Sequence, residues 1–91
     1  MIREDIEVRQ AKNSITIKSY SNFMTFDKKG KKIYSSAKLT SQMLDDIESS
    51  GIVSVEECNF EKGFILLKPL DFFSIEKFTD VLISLFEKYN L

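Results

Sequence analysis

The chain has 91 residues, of which 43% are hydrophobic and 30% charged, and its formal net charge is −1. This length and composition are typical of one globular domain. Histidine is absent, and Cys58 is the single cysteine. The commonest general base and metal ligand is therefore missing, and neither an intramolecular disulfide nor a two-cysteine metal site can form within one chain.

These exclusions argue against an enzyme, and no phosphate-binding loop or Ser/His/Asp arrangement is found. We therefore expect no catalytic residues, no cofactor and no bound metal. A lone cysteine and a charged start, Met1-Ile2-Arg3-Glu4-Asp5, predict a cytoplasmic protein without a signal peptide. No apolar run approaches the ~20 residues that cross a bilayer, so no membrane association is expected.

Charge is distributed unevenly along the chain. Residues 1–40 carry nine basic and four acidic side chains, whereas residues 41–91 carry four basic and ten acidic ones. Such asymmetry is a hint about binding partners.

The first 35 residues predict two to four strands. Residues 6–10 form a short alternating segment, and residues 14–20 alternate clearly between apolar and polar side chains. Residues 23–26 and 33–34 flank a polar turn that contains Gly30, a pattern that is typical of a β-hairpin.

The spacing of the apolar residues then changes from that of a strand to that of a helix. Residues 37–50 have helical spacing, with Ser35 or Ser36 available as the N-cap and Gly51 as the left-handed residue after the helix. Residues 52–58 predict a strand. After a turn at 59–63, the run Phe64-Ile65-Leu66-Leu67 predicts a central strand covered on both faces, which ends at Pro69.

The last helix is predicted to follow Ser74 as N-cap. Its apolar stripe is wide, and it comprises Ile75, Phe78, Leu82, Leu85, Phe86 and Tyr89.

This order predicts an α+β, two-layer sandwich. An antiparallel sheet of four to five strands would carry two helices on one face, as a β-α-β-β-α core of the ferredoxin-like type with an extra N-terminal hairpin. Residues 1–91 would form a single domain, with residues 1–13 as an edge strand or a mobile arm.

The segment 39–89 resembles heavy-metal-associated domains in element order, through residues 51–55 and 59–63. The CxxC of that family is replaced here by residues 35–39, Ser-Ser-Ala-Lys-Leu. The order also resembles the N-terminal domain of Nfu-type iron–sulfur scaffolds, whose Asn-Pro-Asn stretch is replaced by residues 12–14. The resemblances imply a fold and not a metal function.

The most distinctive local feature is a basic hairpin tip. Together with a neighbouring ring it forms the predicted binding surface, Lys28, Lys29, Lys31, Lys32 and Tyr34. Exposed rings at Tyr20, Phe23 and Phe26 could assist by stacking on bases. The lysines could contact phosphates or an acidic protein, or they could form a solvated turn that discourages strand pairing.

Two rings, Phe72 and Phe73, precede the last helix and form the predicted interface. One would staple the helix start and the other would be an exposed contact. Val81 and Ile83, off the apolar stripe, would extend this patch for self-association or a partner.

The remaining candidates are predicted to be structural. Cys58 has acidic neighbours, which disfavour a reactive thiolate, and it is expected to pack as an apolar residue. Asp45, Asp46 and Glu48 are expected to form a solvated helical face.

The leading hypothesis is a non-enzymatic protein that binds another protein as an adaptor, inhibitor or regulatory subunit. The alternatives are a nucleic-acid-binding domain that uses Lys28–Lys32, and a subunit of an enzyme or carrier that needs a partner chain. Homodimerisation is a further option.

Overall fold

The computed structural model describes residues 3–91, which form six strands and two helices. In chain order these are β1 (Glu7–Gln10), β2 (Ser14–Lys18), β3 (Phe23–Asp27), β4 (Lys32–Ser35), α1 (Ser41–Ser49), β5 (Val53–Asn59), β6 (Phe64–Pro69) and α2 (Ile75–Lys88). The strands form one antiparallel sheet in the order β1-β2-β3-β4-β6-β5. The predicted α+β class is confirmed, but the sheet has six strands because residues 7–10 form a strand of their own.

Successive side chains of each strand point to opposite sides, which gives the sheet two faces. One face, called the inner face here, packs against both helices. Its buried strand residues are Ile15, Ile17, Met24, Phe26, Ile33, Val53, Ile65 and Leu67. They share one core with Met43 and Ile47 of α1 and with Phe78, Leu82, Leu85 and Phe86 of α2. Neither α1 nor α2 packs against the opposite, outer face.

Helix α1 begins later than predicted. Its N-cap is Thr40, whose Oγ1 accepts a hydrogen bond from the Met43 N–H at 3.3 Å. The two serines predicted as caps bind the chain elsewhere. Ser35 donates to the Ala37 carbonyl at 2.8 Å, and the Ser36 hydroxyl accepts from the Phe23 N–H at 2.7 Å. These contacts extend β4 and hold the segment before α1 in a non-helical conformation.

Helix α2 has the predicted cap and stripe. Ser74 Oγ accepts from the Lys77 N–H at 3.1 Å. The Phe73 ring lies 5.7 Å from the Phe78 ring between centroids, which forms the hydrophobic staple across the first turn. Ile83 was expected to be exposed, but it is buried because the apolar face of α2 is wider than the predicted stripe.

The prediction that β6 is covered on both faces is wrong. Strand β6 lies between β4 and β5, and Ile65 and Leu67 face the core. Phe64 and Leu66 point to the outer face, where they are only half-buried. The uninterrupted apolar run therefore reflects apolar side chains on an uncovered face.

The N-terminal segment is tied to the end of α2. The Arg3 guanidinium donates to both Asp5 carboxylate oxygens at 3.0 Å, to Asn90 Oδ1 at 3.0 Å and to the Leu91 carbonyl at 2.6 Å. Beyond it, β1 forms the edge strand that was one of the two expectations for residues 1–13. Residues 1 and 2 lie outside the described residues. Within residues 3–91, neither helix is long and apolar enough to cross a bilayer.

Two glycines provide a matched test of the turns. Gly51 and Gly63 both have left-handed backbones, with φ of 76° and 73°. A Cβ on Gly51 would meet nothing within 4 Å, whereas a Cβ on Gly63 would lie 2.7 Å from the Ser35 carbonyl oxygen. The Gly63 carbonyl also accepts from the Ser35 N–H at 2.8 Å, which joins β4 to the β5–β6 turn.

We expect Gly51→Ala to lower the free energy of unfolding by about 1 kcal/mol, the cost of a left-handed alanine. Gly63→Ala should cost at least about 1 kcal/mol more, because the backbone contact adds strain. Urea denaturation of the two variants measures the difference. Equal losses would show that the β5–β6 turn does not pack against β4 as described.

Candidate functional site

The outer face of the sheet carries partly exposed rings on the three adjacent strands β3, β4 and β6. Tyr34 on β4 lies directly opposite Phe64 on β6, and Thr25 lies opposite Tyr34 on the other side. Phe23 begins β3 on the same face. Phe23 and Tyr34 each retain 45% of their surface exposed. With Leu66, these rings form an apolar patch that neither helix covers; Phe23, Tyr34, Phe64 and Leu66 are called the ring patch below.

Two side-chain contacts lie on the outer face, and one of them involves a ring of the patch. Lys32 Nζ lies 5.1 Å from the centroid of the Phe64 ring, within the range of a cation–π contact. The hydroxyls of Thr16 and Thr25 are hydrogen-bonded across β2 and β3 at 2.9 Å. Cross-strand side-chain contacts of this kind stabilise the pairing of the strands.

Charges of both signs share the outer face with the ring patch. By strand register, the basic side chains on the outer face are Arg9, Lys18, Lys32 and Lys68, and the acidic ones are Glu7, Asp27 and Glu57. An apolar centre with a mixed polar rim is the anatomy of a protein–protein interface.

The structure divides the predicted basic surface into two parts. Lys32 and Tyr34, two residues apart on β4, share the outer face beside Phe64. Lys28, Lys29 and Lys31 lie in the turn at the end of the sheet. Only the first part joins the ring patch.

The turn itself is held by local hydrogen bonds. The Asp27 carboxylate accepts from the Lys29 N–H at 3.0 Å, and Lys31 Nζ donates to the Lys28 carbonyl at 2.7 Å. The Lys28 N–H donates to the Asn13 carbonyl at 2.8 Å, which places the β1–β2 turn and Lys12 next to this tip. These bonds favour the interpretation of the tip as a stabilised turn, and its ammonium groups still form a basic end of the sheet.

The other rings near the hairpin do not gather at its tip. Phe26 is buried on the inner face, and Tyr20 is 93% exposed in the β2–β3 turn at the opposite end of β3. Neither of these two rings therefore lies exposed beside the lysines.

The predicted interface pair is also separated. Phe72 is 75% exposed, with Lys77 Nζ 6.0 Å from its ring centroid. Phe73 packs inward against Phe26 and Phe78. Of these two rings, only Phe72 is available for contact with another molecule.

Cys58 lies on the inner face of β5, opposite Ile65, and is half-buried. Burial raises the pKa of its thiol, which favours the unreactive protonated form. Among residues 3–91, no three acidic or cysteine side chains gather closely enough to bind a metal.

Sequence patterns did not indicate a polar cluster that joins the helices. Asp46 of α1 accepts from Lys88 Nζ at 3.0 Å and from the Tyr89 hydroxyl at 2.5 Å. These bonds lower the pKa of Asp46 and raise the pKa values of Lys88 and Tyr89. The cluster borders a groove of about 260 Å³ between the helices. Because its members are 42 and 43 residues apart in the chain, no local pattern could reveal it.

A second, more polar groove of about 350 Å³ lies beside the β5–β6 turn and is lined in part by Ser36, Lys38, Phe60 and Lys62. The Ser36 hydroxyl is already engaged with the Phe23 backbone. The charged residues of its lining, Lys38, Glu61 and Lys62, are all exposed.

Comparisons of the chain with protein-family models, with curated proteins and with solved structures each find no match.

The Asp46 cluster predicts a pH dependence. Because the pKa of Asp46 is lower in the folded protein than in the unfolded chain, this carboxylate stabilises the fold above about pH 4. The stabilisation is lost as the pH falls through the lowered pKa. We therefore expect Asp46→Asn to be destabilising at neutral pH, with the difference from the wild type shrinking below about pH 4.

Asp45→Asn is the control, because it removes one charge from an exposed position on the same helix. Chemical denaturation at a series of pH values checks both variants. Identical pH profiles for the Asp46 and Asp45 variants would contradict the assigned hydrogen bonds.

Proposed function

We propose that this protein is a non-enzymatic binding domain that docks another protein on the outer face of its sheet, as an adaptor, inhibitor or regulatory subunit. The observation that carries the proposal is the ring patch on a sheet face that neither helix covers. Apolar rings exposed together lose contact with water when a partner covers them, and that burial drives association.

The charges around the ring patch favour a protein partner over nucleic acid. Nucleic-acid interfaces are strongly positive, because affinity comes largely from phosphate contacts. The charges on this face are of both signs, and Lys32 is already placed over the Phe64 ring. A partner with an apolar centre and a mixed-charge rim would fit this face, with charge pairs that select its orientation.

We also infer a ferredoxin-like-type fold and a cytoplasmic location. Strands β4 and β5 flank β6 and are joined by α1, an arrangement that supports a ferredoxin-like-type core from β4 to α2. The β1–β2 hairpin and β3 would extend that core. The free thiol of Cys58 supports a reducing compartment such as the cytoplasm.

A photo-crosslinking experiment tests the docking face. A photoreactive phenylalanine analogue is incorporated in place of Tyr34, on the ring patch, in cells that express the protein. We expect discrete protein adducts, because the analogue would lie within the buried interface. The matched control has the analogue at Asp80, which is exposed on α2.

The proposal is supported if adducts form at position 34 and are absent at position 80. The adducts at position 34 should also decrease when Phe23→Ser is added. Equal labelling at the two positions, or adducts that nuclease treatment removes, would contradict the proposal.

Nucleic-acid binding is the second candidate, and the basic end of the sheet favours it. Lys12, Lys28, Lys29 and Lys31 come from two adjacent turns, and Lys32 continues this charge toward the Tyr34 and Phe64 rings. A single strand could contact the lysines with its phosphates and stack a base on Tyr34.

Fluorescence anisotropy with single-stranded DNA and RNA oligonucleotides at low salt tests this candidate. If it holds, binding weakens as salt increases, and replacing Lys28, Lys29 and Lys31 by serine weakens it by about 10-fold or more. If the protein binds no oligonucleotide, or if the three serine substitutions leave binding unchanged, nucleic-acid binding through these lysines is excluded.

A further inference from the structure

Strand β1 is an edge strand that is uncovered on both faces. All four of its residues are exposed, including Val8 at 40%. It pairs on one side with β2, and within residues 3–91 no strand pairs with its other side. Such an edge is a template for a further strand.

The register shows which backbone groups point to the free side. The Ala11 N–H donates to the Ser14 carbonyl at 2.8 Å, next to the Gln10–Ile15 pair. Antiparallel pairs alternate between bonded and non-bonded positions. Arg9 and Glu7 are therefore bonded to β2, whereas the N–H and C=O groups of Val8 and Gln10 point away from the sheet.

We propose that the partner for this edge is a second copy of the chain, paired antiparallel through β1 about a two-fold axis at Val8. In this register the two Val8 residues exchange both backbone hydrogen bonds. Glu7 of each copy then lies opposite Arg9 of the other, at the non-bonded positions where opposing side chains are closest.

The charges of β1 select this register. Glu7 and Arg9 both project from the outer face, and they already form an ion pair within one strand at 3.2 Å. An axis at Val8 gives two further pairs of opposite charge. An axis at Glu7 or at Arg9 would place that charge opposite its own copy, which is unfavourable.

The other edge of the sheet does not suit self-pairing. Strand β5 has an irregularity between Val55 and Glu57, which interrupts a regular ladder. Glu56 and Glu57 are both exposed there, so two copies would bring acidic side chains together. A bulge and like charges are the usual protection of an edge strand against pairing.

Pairing through β1 would join two six-stranded sheets into one continuous sheet, with both outer faces on the same side. This inference goes beyond the proposed function, because the two ring patches would then lie on one face of the continuous sheet, with β1 and β2 of both copies between them. The dimer would hold two docking surfaces in a fixed relation, which increases the avidity for a partner with repeated epitopes.

Charge reversal provides the first test, by sedimentation equilibrium over a series of protein concentrations up to about 1 mM. Glu7→Arg alone and Arg9→Glu alone each place like charges opposite each other at two positions, so each should raise the dimer dissociation constant by about 10-fold or more. The double variant Glu7→Arg/Arg9→Glu restores opposite charges and should return the constant to within about 3-fold of the wild type.

Disulfide trapping provides a second test that does not depend on charge. In a Cys58→Ser background, Val8→Cys would place two cysteines at a bonded antiparallel pair, with Cα atoms about 5.5 Å apart and within disulfide range. In the same background, Gln10→Cys would place its two cysteines about 14 Å apart along the strands. Mild oxidation should therefore give covalent dimers of the first variant and not of the second.

Three outcomes would overturn the proposal: a monomer at every concentration, equal trapping of the two cysteine variants, or a dimer that resists the single charge reversals and is lost in Tyr34→Ser. The last result would mean that copies meet through the outer face.

Discussion

Two helices can cover only one face of a six-stranded sheet of this size, and most features of the molecule depend on that constraint. Alternation places Ile33 and Ile65 under the helices. It necessarily places Tyr34 and Phe64, the adjacent residues, on the side that faces solvent. A face that faced only water would normally be polar, and the rings on this face are the basis for proposing a docking surface there.

The same constraint accounts for the two edges. Helix α2 packs over β2 but leaves β1 without a helix on its inner side, so Val8 remains exposed. Strand β5 is longer, and its irregularity and acidic side chains interrupt the ladder. One edge is therefore open to a regular strand and the other is protected, an asymmetry that supports a single mode of association through β1.

Local patterns predicted the elements that depend on local chemistry. The alternation of residues 14–18, the Ser74 cap and the left-handed Gly51 are all found where the sequence places them, because each involves only near neighbours. Local patterns failed where a contact with a residue distant in the sequence determines the structure. Ser35 and Ser36 are ordinary helix caps by type, yet their hydroxyls bind loop and strand backbone instead.

The candidate site was predicted only in part for the same reason. Tyr34 and Lys32 were identified through the basic turn, but Phe64 was assigned to a buried strand because an apolar run does not show which face is covered. Their meeting depends on β4 pairing with β6, across α1 and β5. Asp46, Lys88 and Tyr89 likewise meet only through the packing of two helices.

Hydroxyl-radical footprinting most directly tests whether the outer face is the binding surface. The oxidation of Tyr34 and Phe23 is compared between the purified protein and the protein in an extract of the cells that express it, with exposed Tyr20 and Phe72 as internal references. A docking surface on the outer face predicts protection of Tyr34 and Phe23 in the extract, while the two reference rings stay reactive. Equal oxidation of Tyr34 in both samples, or protection confined to Phe72, would contradict the assignment of the outer face as the binding surface.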